Sequence, residues 1–211
     1  GEKQDNMIES EDYRDPEYNI PIFSLYGKVR RPSAEMMNSF DVVLIDLQDV
    51  GTRIYTFLTT LLYMLEACAK NQKEIWVLDR PNPAGRTIEG SILESGWESF
   101  VGAGPLPIRH GLTLGEAALW FKNKFSLDVN LKVIKMKGYN PEKWPPLSWV
   151  NPSPNSSNIS MARCFAGTVL IEGTTLSEGR GTTRPLEVIG APGLPVLKIL
   201  KEMEKLKSQW L

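Results

Sequence analysis

The sequence predicts an α/β protein: a Rossmann-like, mainly parallel sheet with helices on both faces, truncated at both ends. Two observations predict this fold class. Residues 41–47 and 74–78 are short, nearly continuous apolar runs, as expected for strands buried on both faces of a parallel sheet. Segments with helical periodicity alternate with these runs, which is the pattern of βαβ units.

The elements before residue 72 are predicted as follows. Residues 1–19 are polar and indicate a loop, residues 20–26 form a short apolar segment that could be a strand, and residues 32–39 suit one or two helical turns. Residues 41–47 (DVVLIDL) give the clearest strand. Residues 56–70 predict a helix because apolar side chains recur at intervals of three and four residues, at Phe57, Leu61, Met64, Leu65 and Cys68.

The later elements continue the alternation. Residues 74–78 (EIWVL) are the second buried strand, and residues 113–124 form a helix whose capping box consists of Thr113 and Glu116. Residues 131–136 and residues 167–171 (GTVLI) are predicted as the third and fourth strands. We therefore expect four parallel strands whose carboxyl ends share one edge of the sheet.

The chain closes with an amphipathic helix over residues 194–208, with Pro195 suited to its first turn. The preceding loop, residues 137–162, is long and rich in Pro, Asn and Ser, and a loop of that length in a compact domain is more often functional than idle. We expect one Rossmann-like domain over residues 1–193 and a second unit, or a connecting helix, over residues 194–211. The polar start and the abrupt last helix suggest a fragment of a longer protein.

Composition excludes several classes of function. The formal net charge is −1, so nothing indicates a field that captures nucleic acid or an anionic membrane, and no apolar run is long enough to span a bilayer. Cys68 and Cys164 are predicted to be buried free thiols. The sequence contains no GxGxxG, Walker-type or HExxH motif and no Cys/His cluster. We therefore predict neither a cofactor nor a metal.

Acidic and arginine side chains follow three of the predicted strands. Residues 48–55 follow the first strand, residues 79–83 the second and residues 172–183 (EGTTLSEGRGTT) the fourth. Because carboxyl ends of parallel strands meet at one edge, these segments predict a polar ligand site. Its candidate residues are Asp49, Arg53, Tyr55, Asp79, Arg80, Asn82, Glu172, Glu178 and Arg180. The alternative is a purely structural role, in which Asp46 and Asp79 cap loops and Arg53 and Arg80 pair with these acids.

Other segments add candidates. His110, the only histidine, lies between a short apolar stretch and the capped helix, and Glu89 lies in a glycine-containing loop. Trp149, Ser153 and Asn155 combine a flat ring with hydroxyl and amide groups, which suits the apolar faces and hydroxyl rim of a sugar. Carboxylates are the most abundant reactive groups among these candidates, and glycoside hydrolysis requires a pair of carboxylates.

Seven ordered strings resemble a bacterial family described as NamZ-type exo-β-N-acetylmuramidases, glycoside hydrolase family 171. They are SLYG (24–27), DLQDVGTRIYT (46–56), LDRPNPAG (78–85), SFVG (99–102), RHGLTLGE (109–116), WVNPSPN (149–155) and EGTTLSEGRGTTRPLEVIGAP (172–192). The resemblance implies a Rossmann-like catalytic domain, a smaller C-terminal auxiliary domain, and release of N-acetylmuramic acid (MurNAc) from non-reducing ends of peptidoglycan chains. It also implies export to the cell envelope or beyond, as an extracellular or periplasmic protein.

Departures from the family pattern are specific. The strand and PEHG-type segment expected before SLYG are absent, Thr175 replaces the usual Asn, and Leu186 replaces the usual Phe. Neither of the two substitutions, at Thr175 and Leu186, removes a carboxylate.

The resemblance and the residues together give a mechanistic hypothesis. Glu89 and either Glu172 or Glu178 would be the carboxylate pair, and Arg180 and His110 would hold the lactyl carboxylate or N-acetyl group. Tyr55 and Trp149 would wall the sugar ring. The alternative is a non-catalytic wall-binding module on the same fold. A nucleotide- or phosphosugar-dependent enzyme is disfavoured because the phosphate loop is absent.

Overall fold

The computed structural model describes residues 9–140, 149–153 and 155–206, and it confirms the α/β class. The elements, in chain order, are β1 (Tyr13–Arg14), β2 (Pro21–Ile22), α1 (Ala34–Asn38), β3 (Val42–Ile45), α2 (Phe57–Asn71), β4 (Glu74–Leu78), β5 (Glu89–Ile92), β6 (Pro107–Arg109), α3 (Leu114–Lys124), β7 (Asn130–Ile134), α4 (Ile159–Thr168), a 3₁₀ helix (Val169–Gly173) and α5 (Val196–Glu204).

The central sheet has three parallel strands in the order β3–β4–β7. Ile75 of β4 lies opposite Val43 of β3 and Leu131 of β7, which fixes the register. Two small antiparallel pairs, β1–β2 and β5–β6, lie outside this sheet. The parallel strands predicted from the apolar runs are therefore confirmed at β3, β4 and β7.

Helices α2 and α3 contact each other and both contact β4. They bury Ile75 and Val77 under Leu61, Leu65 and Phe121, all fully buried. Both connections step in the same direction across the sheet, and right-handed crossovers then place both helices on one face. The opposite face was expected to carry helices as well. In the described ranges it remains open, with Leu44 57% and Ile134 42% exposed.

The predicted strand at residues 167–171 is wrong: these residues end α4 and continue into the 3₁₀ helix. The Asn158 side chain caps α4 by accepting from the Met161 amide at 3.0 Å. Met161, Phe165 and Val169 recur every four residues and are buried, so helical periodicity decides the structure.

The prediction of two buried thiols holds for one cysteine and fails for the other. Cys68 is buried in the core, and burial raises the pKa of its thiol to about 11. Cys164 lies on α4 and is exposed, so the prediction of a buried thiol is wrong there, again because α4 is a helix. No helix within the described ranges has the length and apolar character needed to cross a membrane.

The start of α3 is fastened to the carboxyl end of β4. Both oxygens of Asp79 are engaged there: one accepts from the Thr113 hydroxyl at 2.9 Å, the other from the Gly115 amide at 2.8 Å. A side chain at position 115 would place its Cβ 2.8 Å from Asp79 Cγ and 2.5 Å from a Val133 methyl, so only glycine fits. The predicted capping box of Thr113 and Glu116 is confirmed.

Replacing Asp79 by alanine is expected to destabilise the protein by about 1–2 kcal/mol, because a helix N-terminus loses its side-chain acceptors. Urea denaturation monitored by circular dichroism measures this change. Asp79→Asn, which keeps one carbonyl oxygen, should lose less. Equal stability of wild type and Asp79→Ala would contradict this assignment.

The Glu116 carboxylate gives α3 a pH-dependent contact. Burial alone would raise its pKa, but the bonds from the Arg86 guanidinium and the Thr113 amide outweigh burial and hold the pKa below the usual value of a glutamate. A lowered pKa stabilises the folded state above the unfolded pKa, and that stabilisation is lost as pH falls through the folded value.

We expect wild type to exceed Glu116→Gln in stability at about pH 7, by less than about 1 kcal/mol because the pair is partly exposed. The difference should shrink below about pH 4. Paired denaturation curves at the two pH values test this expectation, and a pH-independent difference would refute it.

Candidate functional site

Two glutamates share one arginine in the loop after the 3₁₀ helix. Arg180 Nε lies 2.7 Å from Glu178 Oε1 in an ion pair, and Arg180 Nη2 donates a hydrogen bond to Glu172. The Glu178 side chain is only 10% exposed, against 32% for Glu172. Gly179 has φ +86°, which permits the turn between Glu178 and Arg180. The structure thus joins three of the predicted site residues in one ion-pair cluster.

The loop is fastened close to the segment that follows β3. The Leu186 amide donates to the Glu178 carbonyl at 2.7 Å, and the buried Leu186 side chain packs with Val50 and Phe165. Val50 follows Asp49 directly, so the apolar cluster holds the Glu172–Arg180–Glu178 loop beside the residues after β3. The expected gathering of polar turns is supported for these two segments.

His110 and Asp49, which follows β3, form a buried pair. His110 Nδ1 accepts from the Leu112 amide at 3.2 Å, so the ring proton is on Nε2 and points to Asp49 Oδ2 at 3.1 Å. The Gly51 amide donates to the same oxygen at 2.7 Å, and Asp49 Oδ1 has no hydrogen-bond partner among the described residues. The two side chains are 0% and 5% exposed. The pair orders the loop after β3, and the geometry favours a positioning role for His110.

Tyr55 connects Asp49 with the 149–156 segment. Burial, then the Asp49 charge, raises the pKa of the Tyr55 hydroxyl, and the neighbouring Ser153 side chain offsets part of that rise. The Trp149 indole donates to the Ser156 carbonyl at 2.7 Å, and both aromatic rings pack on the Val50 cluster. Asn155 is partly buried in the same turn, while Pro154 and residues 141–148 lie outside the described residues.

Two further predicted residues, Arg53 and Asn82, make contacts that stabilise the fold. Arg53 donates to the carbonyls of Ser91 and Leu106, which bridges the β5 and β6 segments. Asn82 accepts from the Ala84 amide and donates to the Leu112 carbonyl, each at 2.9 Å. A Cβ at Gly51, where φ is +81°, would lie 2.2 Å from Asn82 Oδ1.

The surface residues differ in their surroundings. Arg80 pairs with Asp46 at the carboxyl ends of β4 and β3, and a shallow depression there is lined by Gln48, Asp49, Arg80 and Asn82 among others. Glu89 pairs with Arg109 at 2.6 Å and is 54% exposed. Glu89 thus has its own arginine and does not share Arg180.

The structure therefore brings the predicted residues into two groups, Glu172–Arg180–Glu178 and Asp49–His110–Tyr55–Ser153. Their roles, and that of Glu89, stay predictions. Sequence reasoning missed Arg109, which holds both Glu89 and the Ala84 carbonyl. Its position directly before His110 was the available signal. In the described ranges, no group of three or more His, Cys, Asp or Glu side chains is arranged to hold a metal ion.

Two models of one protein family match this chain. Residues 1–160 match the family model of the N-terminal part of exo-β-N-acetylmuramidase NamZ, and residues 163–210 match that of its C-terminal part. The sequence analysis divided the chain at residue 193 instead, and the position of the boundary stays a prediction.

Relatives of known sequence or structure are longer than this chain. Peptidoglycan β-N-acetylmuramidase NamZ of Bacillus subtilis is 47% identical over 184 residues, covering 85% of this chain and 44% of that protein. Two DUF1343-family crystal structures from Bacteroides fragilis have TM-scores of 0.84 and 0.78, with 36% and 38% identity. They cover 92% and 86% of this chain, and 52% and 51% of theirs.

The chain thus spans about half the length of these relatives. Its first 160 residues match one family model, its remainder matches the companion model, and its fold superimposes on the DUF1343 structures. The chain belongs to the NamZ family of exo-β-N-acetylmuramidases.

Proposed function

We propose that the complete gene product is an exo-acting glycoside hydrolase that releases MurNAc from the non-reducing ends of peptidoglycan fragments. The 47% identity to a peptidoglycan β-N-acetylmuramidase, together with the family match, carries this proposal. Its substrate lies outside the cytoplasmic membrane, so we also propose an extracellular, periplasmic or envelope location. The family match favours the enzyme over the non-catalytic module.

The carboxylate cluster supports the chemistry. Glycoside hydrolysis needs one carboxyl group to protonate the leaving oxygen and a second to activate water or attack the anomeric carbon. Glu172 and Glu178 are held together by Arg180, and Glu178 is the better shielded from water. Glu178 is therefore the leading candidate in the described part of the chain, with Glu172 or Glu89 as its partner.

Product analysis tests the proposal directly. The complete gene product is incubated with β-1,4-linked MurNAc-GlcNAc, and free MurNAc is sought by mass spectrometry. The reversed disaccharide, GlcNAc-MurNAc, should stay intact because its non-reducing residue is not muramic acid. Longer chains should release monosaccharide without shorter internal fragments. Calorimetric binding of MurNAc-GlcNAc without any cleavage would refute hydrolysis and favour the binding module.

A further inference from the structure

A single guanidinium brings two carboxylates together. Glu178 Oε1 lies 2.7 Å from Arg180 Nε, and Arg180 Nη2 donates a hydrogen bond to Glu172 Oε1. Both nitrogens are attached to the same carbon of one planar group. The two carboxylates are therefore separated by little more than the width of a guanidinium.

Each of these carboxylates also has an oxygen that is not used inside the protein. In the described ranges, neither Glu172 Oε2 nor Glu178 Oε2 accepts a hydrogen bond. Both side chains keep some exposure to solvent, 32% for Glu172 and 10% for Glu178. The cluster therefore offers a ligand two acidic oxygens, and Arg180 holds the other oxygen of each carboxylate.

Backbone contacts on both sides of Glu178 fix its position. Ser177 and Gly190 exchange hydrogen bonds of 2.8 and 2.9 Å, and the Leu186 amide donates to the Glu178 carbonyl. Leu186 is buried although its φ is +63°, a conformation that is unfavourable for a residue with a side chain. Backbone strain of this kind persists only where surrounding contacts impose it, and it is concentrated at active sites.

The separation of the two carboxyl groups determines the stereochemistry of glycoside hydrolysis. Inverting enzymes hold the groups roughly 6.5–9.5 Å apart to admit a water molecule, whereas retaining enzymes hold them about 5–5.5 Å apart. Carboxylates that share one guanidinium match the shorter separation. Glu89 is not part of this close pair, because its carboxylate is bound by Arg109.

We propose that Glu172 and Glu178 are the carboxyl pair of a retaining double displacement, with Arg180 as the positioning residue that sets their separation. This inference rests on the proposed function and adds the stereochemical course of the reaction. In the first step, one carboxylate attacks the anomeric carbon and the bond from that carbon to the leaving oxygen breaks. The other carboxyl group gives its proton to the leaving oxygen.

The second step restores the enzyme. The carboxylate formed in the first step takes a proton from water, the water oxygen bonds to the anomeric carbon, and the ester between sugar and enzyme breaks. MurNAc leaves as the β anomer, the configuration of the bond that was cleaved. Both glutamates then have their starting protonation.

Proton NMR on the wild-type complete gene product tests the stereochemistry. With a chromogenic β-N-acetylmuramide as substrate, β-MurNAc should accumulate before mutarotation produces the α anomer. A 5-fluoro β-N-acetylmuramyl fluoride, whose glycosyl-enzyme is hydrolysed slowly, should add the mass of one fluorosugar to the protein. Peptide mapping should locate the sugar on Glu172 or Glu178. Neither measurement depends on the folding of a variant.

Azide identifies the role of each glutamate. Glu172→Ala and Glu178→Ala should each lose at least about 10²-fold in kcat/KM on the chromogenic substrate, and azide should restore part of the rate. The α-glycosyl azide should form where the attacking carboxylate has been removed, and the β-glycosyl azide where the proton donor has been removed. Glu187→Gln, which changes a glutamate that pairs with Arg184, is the matched control and should give no azide product.

Variants of Arg180 test its positioning role. Arg180→Gln should lower kcat by about 10- to 100-fold, the range of a lost charge-assisted hydrogen bond, and leave KM close to the wild-type value. Arg180→Lys keeps the charge and should recover part of kcat. A loss that appears only as a higher KM would assign Arg180 to substrate binding and overturn this role.

Distinct outcomes separate this inference from the proposed function. Absence of MurNAc release by wild type would refute the proposed function itself. Release of the α anomer first would establish inversion and overturn the retaining pair. Retention without a labelled glutamate and without azide products would show that the N-acetyl group of the sugar makes the attack, which also overturns the inference.

Discussion

Replacing Glu178 by glutamine is expected to reduce turnover of a chromogenic β-N-acetylmuramide by about 10²- to 10⁴-fold, the contribution of a positioned proton-transfer group. Glutamine keeps the size of the side chain and a carbonyl oxygen beside Arg180, so the loop should remain folded. It has no proton to give at the leaving oxygen and no charge to activate water. The measurement is kcat at saturating substrate, with circular dichroism to verify the fold.

Glu187 provides the matched control for this experiment. It is a shielded glutamate of the same region, 3% exposed and paired with Arg184, and it bonds Asn158 and Ser160 at the start of α4. Glu187→Gln should therefore change stability while kcat stays near the wild-type value. Glu172→Gln and Glu89→Gln complete the set. Near-normal turnover in all three candidate variants would reject the carboxylate assignment.

Replacing His110 by alanine is expected to destabilise the protein by about 3–5 kcal/mol, the cost of removing one member of a buried, hydrogen-bonded pair. The Asp49 carboxylate would keep only the Gly51 amide as a donor to Oδ2, and the Leu112 amide would lose its acceptor. The cavity left by the ring adds to this cost. Urea denaturation gives the change in the free energy of unfolding.

Two other variants provide comparisons for the expected loss of stability. His110→Gln offers an amide N–H to Asp49 and should be less harmful than alanine. Lys28→Ala removes a cation whose pair with Glu11 is almost fully exposed, and it should change stability by less than about 1 kcal/mol. A His110→Ala effect as small as that of Lys28→Ala would show that the buried pair contributes little.

The sequence was most informative where the local pattern and the packing agree. Strands β3 and β4 were predictable because their apolar runs are short and rich in β-branched residues. The start of α3 was predictable because Thr113 and Glu116 satisfy a local hydrogen-bonding rule. Neither prediction needed information about distant residues.

The GTVLI run shows where the pattern became ambiguous. Five consecutive apolar or small residues fit a buried strand as well as part of a helix, and run length alone does not decide between them. The deciding signals lay upstream, in the Asn158 cap and in the four-residue spacing of Met161 and Phe165. Strands β5 (EGSI) and β6 (PIR) gave no comparable signal, because both are short and neither is an apolar run.

The sequence indicated which segments carry the candidate site residues better than it indicated which residues contact each other. The EGTTLSEGRGTT run indicated its acids and arginine, and the structure joins them. The Arg109 partner of Glu89 could not be read from the sequence, because residues 20 positions apart meet here only through the tertiary fold. The buried state of His110 was equally hidden, since a lone histidine fits both a ligand contact and a structural role.

The open side of the central sheet has a practical consequence. Leu44 and Ile134 present aliphatic surface to water on either side of the Trp76 strand, and β3 and β7 carry unpaired edges in the described sheet. Exposed apolar surface beside unpaired strand edges promotes aggregation. Solutions of this 211-residue chain should therefore aggregate more as the concentration of protein or of a salting-out salt rises, and light scattering should accompany every enzymatic assay.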